Sequence, residues 1–414
     1  MTRTLLTGNV AAAWGARLAD VDYVPAFPIT PQTEIIETLA RWYERGEAGG
    51  RLTMLESEHS MLTAAAAAAA TGVRVFTATS SQGLLYAMEM IYAVPGWRAP
   101  FVLVNVSRAL ATPITLEPDH NDVLAARDSG FLQIHCATCQ EVLDSILIAY
   151  RLAEHPRVRL PAIVNLDGFY LSFTREPVEI PDAGAARSFL PPFEAGKVEF
   201  RASKPISQAV AVLGGSPYSY FRYEAHLASL EALRAYDEVA ADFERRFGRH
   251  HPAVACYRAD DAEVAFLMIG AFSTKALEAV DRLREQGIAA GLVRPRLLRP
   301  FPVEALRRVL LGRRALAVID QNLSMGKGGV LATEIASALY GCRGAPLIAS
   351  YVGGLGGRDI GPEEFYAMAA EARAAADAGQ APAPRLLYTA GELREVRKLQ
   401  AIALAERRET GAVP

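Results

Sequence analysis

Phe101-Val102-Leu103-Val104 is one of three short, nearly uninterrupted apolar segments in the first half of the chain. The other two are Val73-Arg74-Val75-Phe76 and Ala162-Ile163-Val164-Asn165-Leu166. Runs of this kind are typical of parallel strands that are covered on both faces. Segments with helical spacing lie between them. This alternation predicts an α/β fold with an open, doubly wound, mostly parallel sheet.

Outward from these strands, the chain is predicted to form four parts. Residues 1–180 form the first α/β domain, and residues 181–260 form a proline- and glycine-marked connector with one long helix. Residues 261–375 again alternate strands with helices and are predicted to form a second, smaller α/β domain. The remaining residues, 376–414, end in a charged helix that suits a docking arm.

The composition limits the partners and the location of the protein. The 414 residues are 51% hydrophobic and 21% charged with a net charge of -3, and no basic block favours nucleic acid or an anionic membrane. The alanine-rich stretch 61–75 is interrupted by polar residues and is shorter than the roughly 20 residues of a membrane span. The segment 4–15 superficially resembles a signal sequence but continues into Arg17 and Asp20, so a cytoplasmic protein is predicted.

Cys136 and Cys139 are the only close pair among four cysteines. One such pair cannot complete a four-thiolate iron–sulfur or zinc site, so no metal site is predicted on this chain. A redox dithiol is one interpretation of the pair. The favoured alternative is two small buried thiols where a strand runs into a helix.

The first two candidate functional stretches lie at predicted strand ends. In Phe27-Pro28-Ile29-Thr30-Pro31, two prolines restrict the backbone of Thr30 and place its hydroxyl above a strand end. The alternative is that Thr30 only caps the helix that Pro31 begins. In Glu56-Ser57-Glu58-His59, Glu58 lies where a helix begins and the helix dipole favours a carboxylate, although simple capping also explains an acid there.

Two further stretches add hydroxyl groups and a guanidinium. Thr79-Ser80-Ser81-Gln82-Gly83 is a strand-to-helix turn whose small residues let a ligand approach the backbone. Arg108 directly follows an apolar strand and could bind a carboxylate bidentately. The alternative for Arg108 is an internal ion pair with Asp119 or Asp122. Because the carboxyl ends of parallel strands meet at one edge, these groups are predicted to surround an anionic small molecule.

In their order, these motifs resemble the alpha subunit of pyruvate:ferredoxin oxidoreductase and related 2-oxoacid:acceptor oxidoreductases. The similarity covers about residues 8–365. The motifs that carry it are, in order, Phe27-Pro28-Ile29-Thr30-Pro31, Glu58, residues 79–84, Arg108 and Asp119-His120-Asn121-Asp122. The other similar stretches are 125–130, 165–169, 320–329 and 353–360.

The resemblance implies a thiamine diphosphate pyrimidine-binding module followed by a domain like the C-terminal domain of transketolase. Glu58 would hydrogen-bond the aminopyrimidine ring nitrogen and, with Thr30 and Arg108, would be catalytic. The other implied cofactor-binding residues are Pro28, Ile29, Ser81, Gln82 and Gly83. The implied substrate-binding residues are Thr30, Arg108, Asp119 and His120.

The implied activity is oxidative decarboxylation of a 2-oxoacid to an acyl-CoA and carbon dioxide, with coenzyme A as co-substrate. Electrons would pass to iron–sulfur clusters on partner subunits, and then to ferredoxin or a nicotinamide. The chain lacks the Gly-Asp-Gly and asparagine pair that usually bind magnesium and diphosphate. A beta-type subunit is therefore expected to hold Mg²⁺ and the diphosphate, and a gamma-type subunit and a ferredoxin-like iron–sulfur subunit are expected to complete the assembly.

Residues 112–118 depart from the pattern of the pyruvate enzymes, so the substrate is pyruvate or a larger branched or aromatic oxoacid such as phenylglyoxylate. A non-catalytic assembly subunit is the main alternative. A self-sufficient thiamine decarboxylase is disfavoured because half of the cofactor site is absent. A nicotinamide dehydrogenase would need a glycine-rich turn where residues 28–31 lie. A phosphate cradle at residues 326–329 is a further, less favoured alternative.

Overall fold

The computed structural model describes residues 2–194, 202–207 and 210–409. In chain order, the elements of its first half are β1 (Thr2–Thr7), α1 (Gly8–Leu18), β2 (Tyr23–Ala26), α2 (Thr33–Glu44), β3 (Arg51–Met54), α3 (Glu58–Ala70), β4 (Phe76–Thr79), α4 (Ser81–Tyr86), α5 (Met88–Trp97), β5 (Val102–Ser107), α6 (Asn121–Ala125), β6 (Leu132–His135), α7 (Cys139–Ala153), β7 (Ala162–Asp167) and β8 (Arg175–Ile180).

In the second half they are α8 (Ala183–Phe189), α9 (Gly215–Phe247), β9 (Val254–Tyr257), β10 (Val264–Leu267), α10 (Ser273–Glu285), β11 (Ala290–Pro295), β12 (Leu297–Arg299), α11 (Val303–Leu310), β13 (Ala315–Asp320), α12 (Val330–Leu339), β14 (Leu347–Val352), α13 (Pro362–Ala378), β15 (Arg385–Leu386) and α14 (Ala390–Glu409). No helix in the described parts of the chain is long and apolar enough to cross a membrane.

The first sheet confirms the predicted α/β fold. β5 lies between β4 and β7, β6 lies on the far side of β7, and all of these pairs are parallel. β2 and β3 form a parallel pair, which a parallel bridge between Tyr23 and Val75 joins to β4. The residues of β4, β5, β6 and β7 are all buried, because helices cover both faces. The carboxyl ends of β3, β2, β4 and β5 therefore lie side by side at one edge.

The second sheet belongs to the other half of the chain. Its six strands follow the order β15-β14-β13-β10-β11-β9 within the described residues, and only β9 runs antiparallel to its neighbour. The two halves are not separate in space, because β12 leaves the second half and pairs antiparallel with β6 of the first sheet. The predicted domain boundaries at residues 180, 260 and 375 stay a prediction.

Three local features differ from the sequence analysis or were missed by it. The strand-to-helix turn at residues 79–83 leads into two short helices, α4 and α5, which meet at Ala87. β1 and β8 form an antiparallel pair that was not predicted, since four of the six residues of β1 and three of the six of β8 are exposed. Thr30 does not cap a helix, because α2 begins at Thr33 and its cap position is Gln32.

The turn before α2 is held by side chains from outside the helix. Gln32 Nε2 donates to the carbonyl of Phe27 at 2.9 Å, and Asn9 Nδ2 donates to the carbonyl of Pro31 at 2.9 Å. In a helix that started at Pro31, the Pro31 carbonyl would accept from the N–H of Ile35. Here it accepts from Asn9, and the N–H of Ile35 donates to the Gln32 carbonyl at 2.9 Å. The chain therefore stays non-helical through Thr30 and Pro31, and Thr30 is left exposed at the sheet edge.

A buried ion pair fixes the opposite end of the first sheet. The guanidinium of Arg74 binds the Glu154 carboxylate through two contacts of 2.7 Å, and it also donates to the carbonyls of Ala19 and Pro191. The side chains of Arg74 and Glu154 are 4% and 12% exposed. A pair so enclosed depends on both partners, because either charge alone would be buried without compensation.

Substituting Glu154→Gln is therefore expected to lower the free energy of unfolding by about 3–5 kcal/mol. Urea denaturation followed by circular dichroism would measure the change. Glu285→Gln is the matched control, because its pair with Arg282 is 65% and 56% exposed, and its loss should leave the midpoint unchanged. Equal midpoints for Glu154→Gln and the wild type would contradict the assignment.

Candidate active site

The predicted functional residues do meet at the edge where β3, β2, β4 and β5 end. Arg108 Nη1 donates to the carbonyl of Thr30 at 2.7 Å, and Arg108 Nη2 donates to Gln82 Oε1 at 3.1 Å. The Glu58 carboxylate lies against Gly83 of the same turn that carries Gln82. Residues from four separate strand ends thus form one cluster, as the parallel sheet predicts.

Glu58 is the first residue of α3, but it does not cap that helix. The cap is Ser57, whose hydroxyl accepts from the backbone N–H of Ser60. Glu58 is 5% exposed, and burial raises the pKa of its carboxyl, a shift that its own backbone N–H opposes. Among the described residues no other group donates a hydrogen bond to this carboxylate. Simple capping therefore does not explain an acid at this position.

Gly83 makes room for the Glu58 carboxylate. A Cβ atom at residue 83 would lie 2.4 Å from Glu58 Oε1 and 2.6 Å from Thr79 Oγ1, which no real side chain allows. Gly83 was expected to let a ligand approach the backbone. The structure shows that its missing side chain leaves room for the Glu58 carboxylate. Direct contact of Ser81, Gln82 or Gly83 with a cofactor stays a prediction.

Arg108 is a buried cation without a carboxylate partner. It is 8% exposed, and the described partners of its guanidinium nitrogens are the Thr30 carbonyl and the Gln82 side chain, neither of which is a carboxylate. Its Nε atom is buried without a hydrogen-bond acceptor. The alternative of an internal ion pair is wrong, since Asp122 binds the backbone N–H of Arg108 at 3.2 Å and Asp119 binds that of Asn121 at 2.9 Å.

The charge of Arg108 is consequently costly in this position. Burial lowers the pKa of the guanidinium, and the negative charge of Asp122 opposes that shift. A buried guanidinium donates five N–H groups in a planar fork, and here the fork meets only neutral carbonyl oxygens on the protein. The arrangement can therefore accept an anion that supplies the missing negative charge.

Asp119 and His120 lie slightly deeper, where the two halves of the protein meet. Burial raises the pKa of Asp119, whose carboxylate is 4% exposed. His120 is fully buried, and its Nε2 lies 2.7 Å from Asp167 Oδ1. Burial alone lowers the pKa of His120, but the Asp167 carboxylate outweighs it and the net shift is upward.

His120 and Asp167 also join the two halves of the chain. Asp167 Oδ2 accepts from the backbone N–H of Ala271 at 2.7 Å, and the backbone N–H of His120 donates to the carbonyl of Gln321 at 2.8 Å. This geometry favours a structural role for His120. Direct substrate contact by Asp119 and His120 stays a prediction.

Cys136 and Cys139 are both fully buried between the end of β6 and the start of α7. Burial raises the pKa of Cys136 to about 12 and also raises that of Cys139. Redox reactions of thiols proceed through the thiolate, which burial disfavours here. The interpretation of two small buried thiols is confirmed.

The glycine-rich segment 326–329 does not offer a phosphate cradle. Asp320 Oδ1 accepts from the backbone N–H of Leu331 at 2.7 Å, Asp320 Oδ2 from that of Ala332 at 3.1 Å, and Asn322 Oδ1 from that of Val330 at 3.1 Å. These amides are the ones that a phosphate at the start of α12 would need. The phosphate-binding alternative is therefore wrong, because the chain's own side chains fill the helix terminus.

A cavity of about 840 Å³ lies elsewhere, at the amino end of β2, lined by residues that include Trp14, Arg17 and Glu47. Its charged groups already pair with one another, Arg17 with Glu47 at 3.7 Å and Arg187 with Asp20 at 3.5 Å. Two further acids of its lining, Asp22 and Asp182, accept hydrogen bonds from backbone N–H groups. We assign the functional site to the cluster around Arg108 and not to this cavity.

Sequence reasoning missed the part that Asp122 takes in the site. Its carboxylate, fully buried, accepts hydrogen bonds from the backbones of Ser81 and Arg108 at 3.0 and 3.2 Å. The residue was considered only as an ion-pair partner for Arg108. The available signal was an acid directly preceding Val123-Leu124-Ala125-Ala126, since a carboxylate next to an apolar run is expected to be buried and bound.

Comparison with known proteins identifies the chain's relatives. The family model for pyruvate flavodoxin/ferredoxin oxidoreductase, thiamine diphosphate-binding, matches residues 14–241. The model for pyruvate:ferredoxin oxidoreductase core domain II matches residues 262–365. The two models follow one another along the chain in the same order as the two sheets.

Curated proteins of similar sequence are named as subunits of 2-oxoacid enzymes. Pyruvate synthase subunit PorA of Pyrococcus abyssi is 38% identical over 382 residues, which cover 92% of this chain and 96% of that protein. The PorA subunit of Thermotoga maritima is 39% identical over 367 residues, or 88% and 92% of the two chains. Ketoisovalerate oxidoreductase subunit VorA of Pyrococcus horikoshii is 38% identical over 379 residues, or 91% and 95%.

Two solved structures show the same fold. A 2-oxoglutarate:ferredoxin oxidoreductase from Magnetococcus marinus, with 2-oxoglutarate, coenzyme A and succinyl-CoA bound, matches with a TM-score of 0.68 at 19% identity, over 90% of this chain and 65% of that chain. An inactive β4 tetramer of a split-gene transketolase matches with a TM-score of 0.50 at 14% identity, over 90% of this chain and 99% of that chain. At these identities the likeness shows the fold alone.

The family model over residues 14–241 and the named relatives show an oxidoreductase subunit with a thiamine diphosphate-binding domain. The chain belongs to the pyruvate flavodoxin/ferredoxin oxidoreductase family, as an alpha-type subunit of a 2-oxoacid oxidoreductase.

Substituting Gly83→Ala is expected to lower the free energy of unfolding by about 1–2 kcal/mol, because overpacking against Glu58 and Thr79 outweighs the gain in helix propensity. Thermal unfolding monitored by circular dichroism would measure it. Gly96→Ala is the matched control, since a Cβ at residue 96 in α5 meets no atom within 4 Å and should not destabilise the protein. Equal melting temperatures for the two variants would show that Gly83 does not limit the space.

Proposed function

We propose that this subunit supplies the pyrimidine half of a thiamine diphosphate site and binds the oxoacid that is oxidatively decarboxylated there. The observation that carries the proposal is a buried carboxylate, Glu58, and a buried guanidinium, Arg108, which share one sheet edge and have no ion-pair partner among the described residues. Each is the charge type that one of the two ligands requires. Thiamine diphosphate, when bound, supplies the electron sink into which a 2-oxoacid loses carbon dioxide.

The surroundings of Glu58 fit the aminopyrimidine of this cofactor. The Glu58 carboxyl is buried with a raised pKa, so it can hold a proton and donate it to a ring nitrogen. Thr79 Oγ1 and Ser80 Oγ, at the end of β4, are buried without hydrogen-bond partners. Unpartnered hydroxyl groups beside an unpartnered acid suit a polar heterocycle, while Pro28 and Ile29 offer apolar contact from the end of β2.

Arg108 fits the carboxylate of a 2-oxoacid. Its Nη atoms are aimed by the Thr30 carbonyl and the Gln82 side chain, and its Nε is left free. A substrate carboxylate would neutralise the guanidinium in a setting that excludes most water, where a charge-assisted bond is strong. Thr30, exposed beside it, would contact the same substrate through its hydroxyl.

The rest of the site must come from other subunits. No group of three or more His, Cys, Asp or Glu side chains in the described ranges could hold a metal ion. We propose that a beta-type partner holds Mg²⁺ and the diphosphate, and that a gamma-type subunit and a ferredoxin-like iron–sulfur subunit complete the enzyme. Coenzyme A would accept the acyl group, ferredoxin or a nicotinamide would accept the electrons, and the enzyme would work in the cytoplasm.

The identity of the oxoacid is the finer part of the proposal. Relatives named for pyruvate and for ketoisovalerate are both 38% identical to this chain, so identity does not choose between them. The loop that follows Arg108 is closed by a bond from Ala109 N–H to the Glu117 carbonyl and carries Ile114 and Leu116, which are 79% and 48% exposed. Exposed apolar side chains on the loop that follows Arg108 in sequence favour a branched or aromatic oxoacid over pyruvate.

The assembled enzyme with Glu58→Gln is expected to lose about 10²–10⁴-fold in turnover, since a glutamine cannot transfer a proton to the ring nitrogen. Reduction of ferredoxin with pyruvate, 2-ketoisovalerate, 2-oxoglutarate or phenylglyoxylate, with and without coenzyme A, would measure it and would identify the oxoacid. Glu304→Gln is the control, because Glu304 is a 75% exposed carboxylate at the start of α11, in the second half of the chain.

Wild-type turnover of the Glu58→Gln enzyme would remove Glu58 from the mechanism. If Glu58→Ala also kept its full content of thiamine diphosphate, the chain would be a non-catalytic assembly subunit. Subunit composition by gel filtration would establish that each variant is assembled.

Substituting Arg108→Ala is expected to raise the KM for the oxoacid by about 10- to 100-fold, because a charge-assisted contact to the substrate carboxylate is lost. Thiamine diphosphate content should not change. Steady-state kinetics over a range of oxoacid concentrations would measure the effect, with Arg151→Ala on the surface of α7 as control. An unchanged KM would refute Arg108 as the carboxylate-binding residue.

A further inference from the structure

The Asp122 carboxyl group is fully buried, and four N–H donors and one hydroxyl surround it. Oδ2 accepts from the backbone N–H of Ser81 at 3.0 Å, from Asn105 Nδ2 at 3.1 Å and from the backbone N–H of Arg108 at 3.2 Å. Oδ1 accepts from the backbone N–H of Val123 at 2.6 Å and lies 3.0 Å from Ser107 Oγ, whose single O–H is also within reach of Asn165 Oδ1 at 2.8 Å. Burial raises the pKa of Asp122, and its hydrogen bonds oppose that shift. No cationic group of a described residue lies within 4.0 Å of it, so its direct partners are neutral groups.

Two of these donors belong to the ends of neighbouring strands. The ladder between β4 and β5 stops at the pair Thr79 and Asn105. Beyond that pair the chain leaves β4 through Ser81, which has a φ of +49°, and leaves β5 through Arg108. One oxygen atom of Asp122 binds both departing backbones and replaces the ladder where it has ended.

The bonds from Asp122 to the backbones of Ser81 and Arg108, which we call the clamp, also affect where the Arg108 side chain points. Ser81 Oγ donates to Gln82 Oε1 at 2.6 Å, and that same oxygen accepts from Arg108 Nη2 at 3.1 Å. The Arg108 guanidinium is thus held to the turn after β4 through Gln82. The Arg108 backbone is held to the same turn through Asp122. A shift of the turn after β4 would move the guanidinium and the turn residue Gly83, which contacts Glu58, at the same time.

We propose that Asp122 is a positioning residue for the oxoacid: by binding the backbones of Ser81 and Arg108 together, it sets the Arg108 guanidinium at a fixed place relative to Glu58. The inference rests on the proposed function, since it gives Arg108 the substrate carboxylate. It adds a residue that touches neither substrate nor cofactor and acts through Arg108 and the turn.

A carboxyl group matches this set of neighbours. Three of the five are backbone N–H groups and a fourth is an amide NH₂, and none of these can accept a hydrogen bond. An asparagine would turn its own NH₂ toward one side of the donor set and leave at least one backbone N–H without an acceptor. The substitution is nearly the same in shape, so it removes the clamp without creating a cavity.

The test is the assembled enzyme with Asp122→Asn, assayed with the oxoacid that the wild type uses best. The KM is expected to rise about tenfold or more while thiamine diphosphate content stays at the wild-type level. In the Arg108→Ala background, Asp122→Asn is expected to add little, because a residue that acts through Arg108 has no further effect once Arg108 is gone.

Asp144→Asn is the matched control, since Asp144 is also a fully buried carboxylate of the same sheet's helices but binds Arg249 and His251 away from the cluster. It should lower stability and leave the KM unchanged. Should Asp122→Asn fail to assemble, Ser107→Ala removes the hydroxyl that contacts Asp122 Oδ1 and is expected to raise the KM by a smaller factor, again without effect in the Arg108→Ala background.

The outcomes separate this inference from the proposed function. If Arg108→Ala raises the KM but Asp122→Asn and Ser107→Ala do not, the positioning role is refuted and the carboxylate-binding role stands. If Arg108→Ala leaves the KM unchanged, the proposed function itself fails. If the effects of Asp122→Asn and Arg108→Ala on the KM simply multiply, Asp122 acts independently of Arg108 and the inference is overturned.

Discussion

The structure depends on the way in which parallel strands end. A parallel ladder holds neighbouring strands together only as far as both remain extended, and the backbone groups beyond that point need other partners. In this protein one buried oxygen atom of Asp122 serves as that partner for the ends of β4 and β5. The charged groups of the site all lie on chain that leaves the sheet at this edge. Their separation is therefore set by backbone contacts and does not rely on contacts between the charged groups themselves.

Both site charges are kept at an energetic cost. Glu58 and Arg108 are buried to 5% and 8% exposure, and neither side chain forms an ion pair with a described residue. Other buried charges of the protein are paired closely, as Arg74 is with Glu154 and Arg249 with Asp144. Under the proposed function, the cofactor ring and the substrate carboxylate would supply the groups that Glu58 and Arg108 lack.

The sequence predicted the sheet and the place of the site because both follow from patterns along the chain. Apolar runs of strand length gave β4, β5 and β7, and a polar residue after each strand marked the shared edge. Partners distant in sequence were not visible. The cap of α2 was predicted at Thr30 but lies at Gln32, because Asn9 and Gln32 bind the carbonyls of the turn before the helix. β12 was not predicted because its three residues pair with a strand more than 150 positions earlier. Asp122 was seen as an acid but not as a clamp, since its donors come from two other segments.

The crossing of β12 into the first sheet has a consequence for how the chain can be divided. β6 would otherwise be an edge strand, with a row of open N–H and C=O groups that invites pairing with other chains. A fragment cut after the long helix α9 would expose that row and would be prone to self-association. The gene for this subunit can therefore tolerate insertion in its surface loops far better than fission between its two sheets.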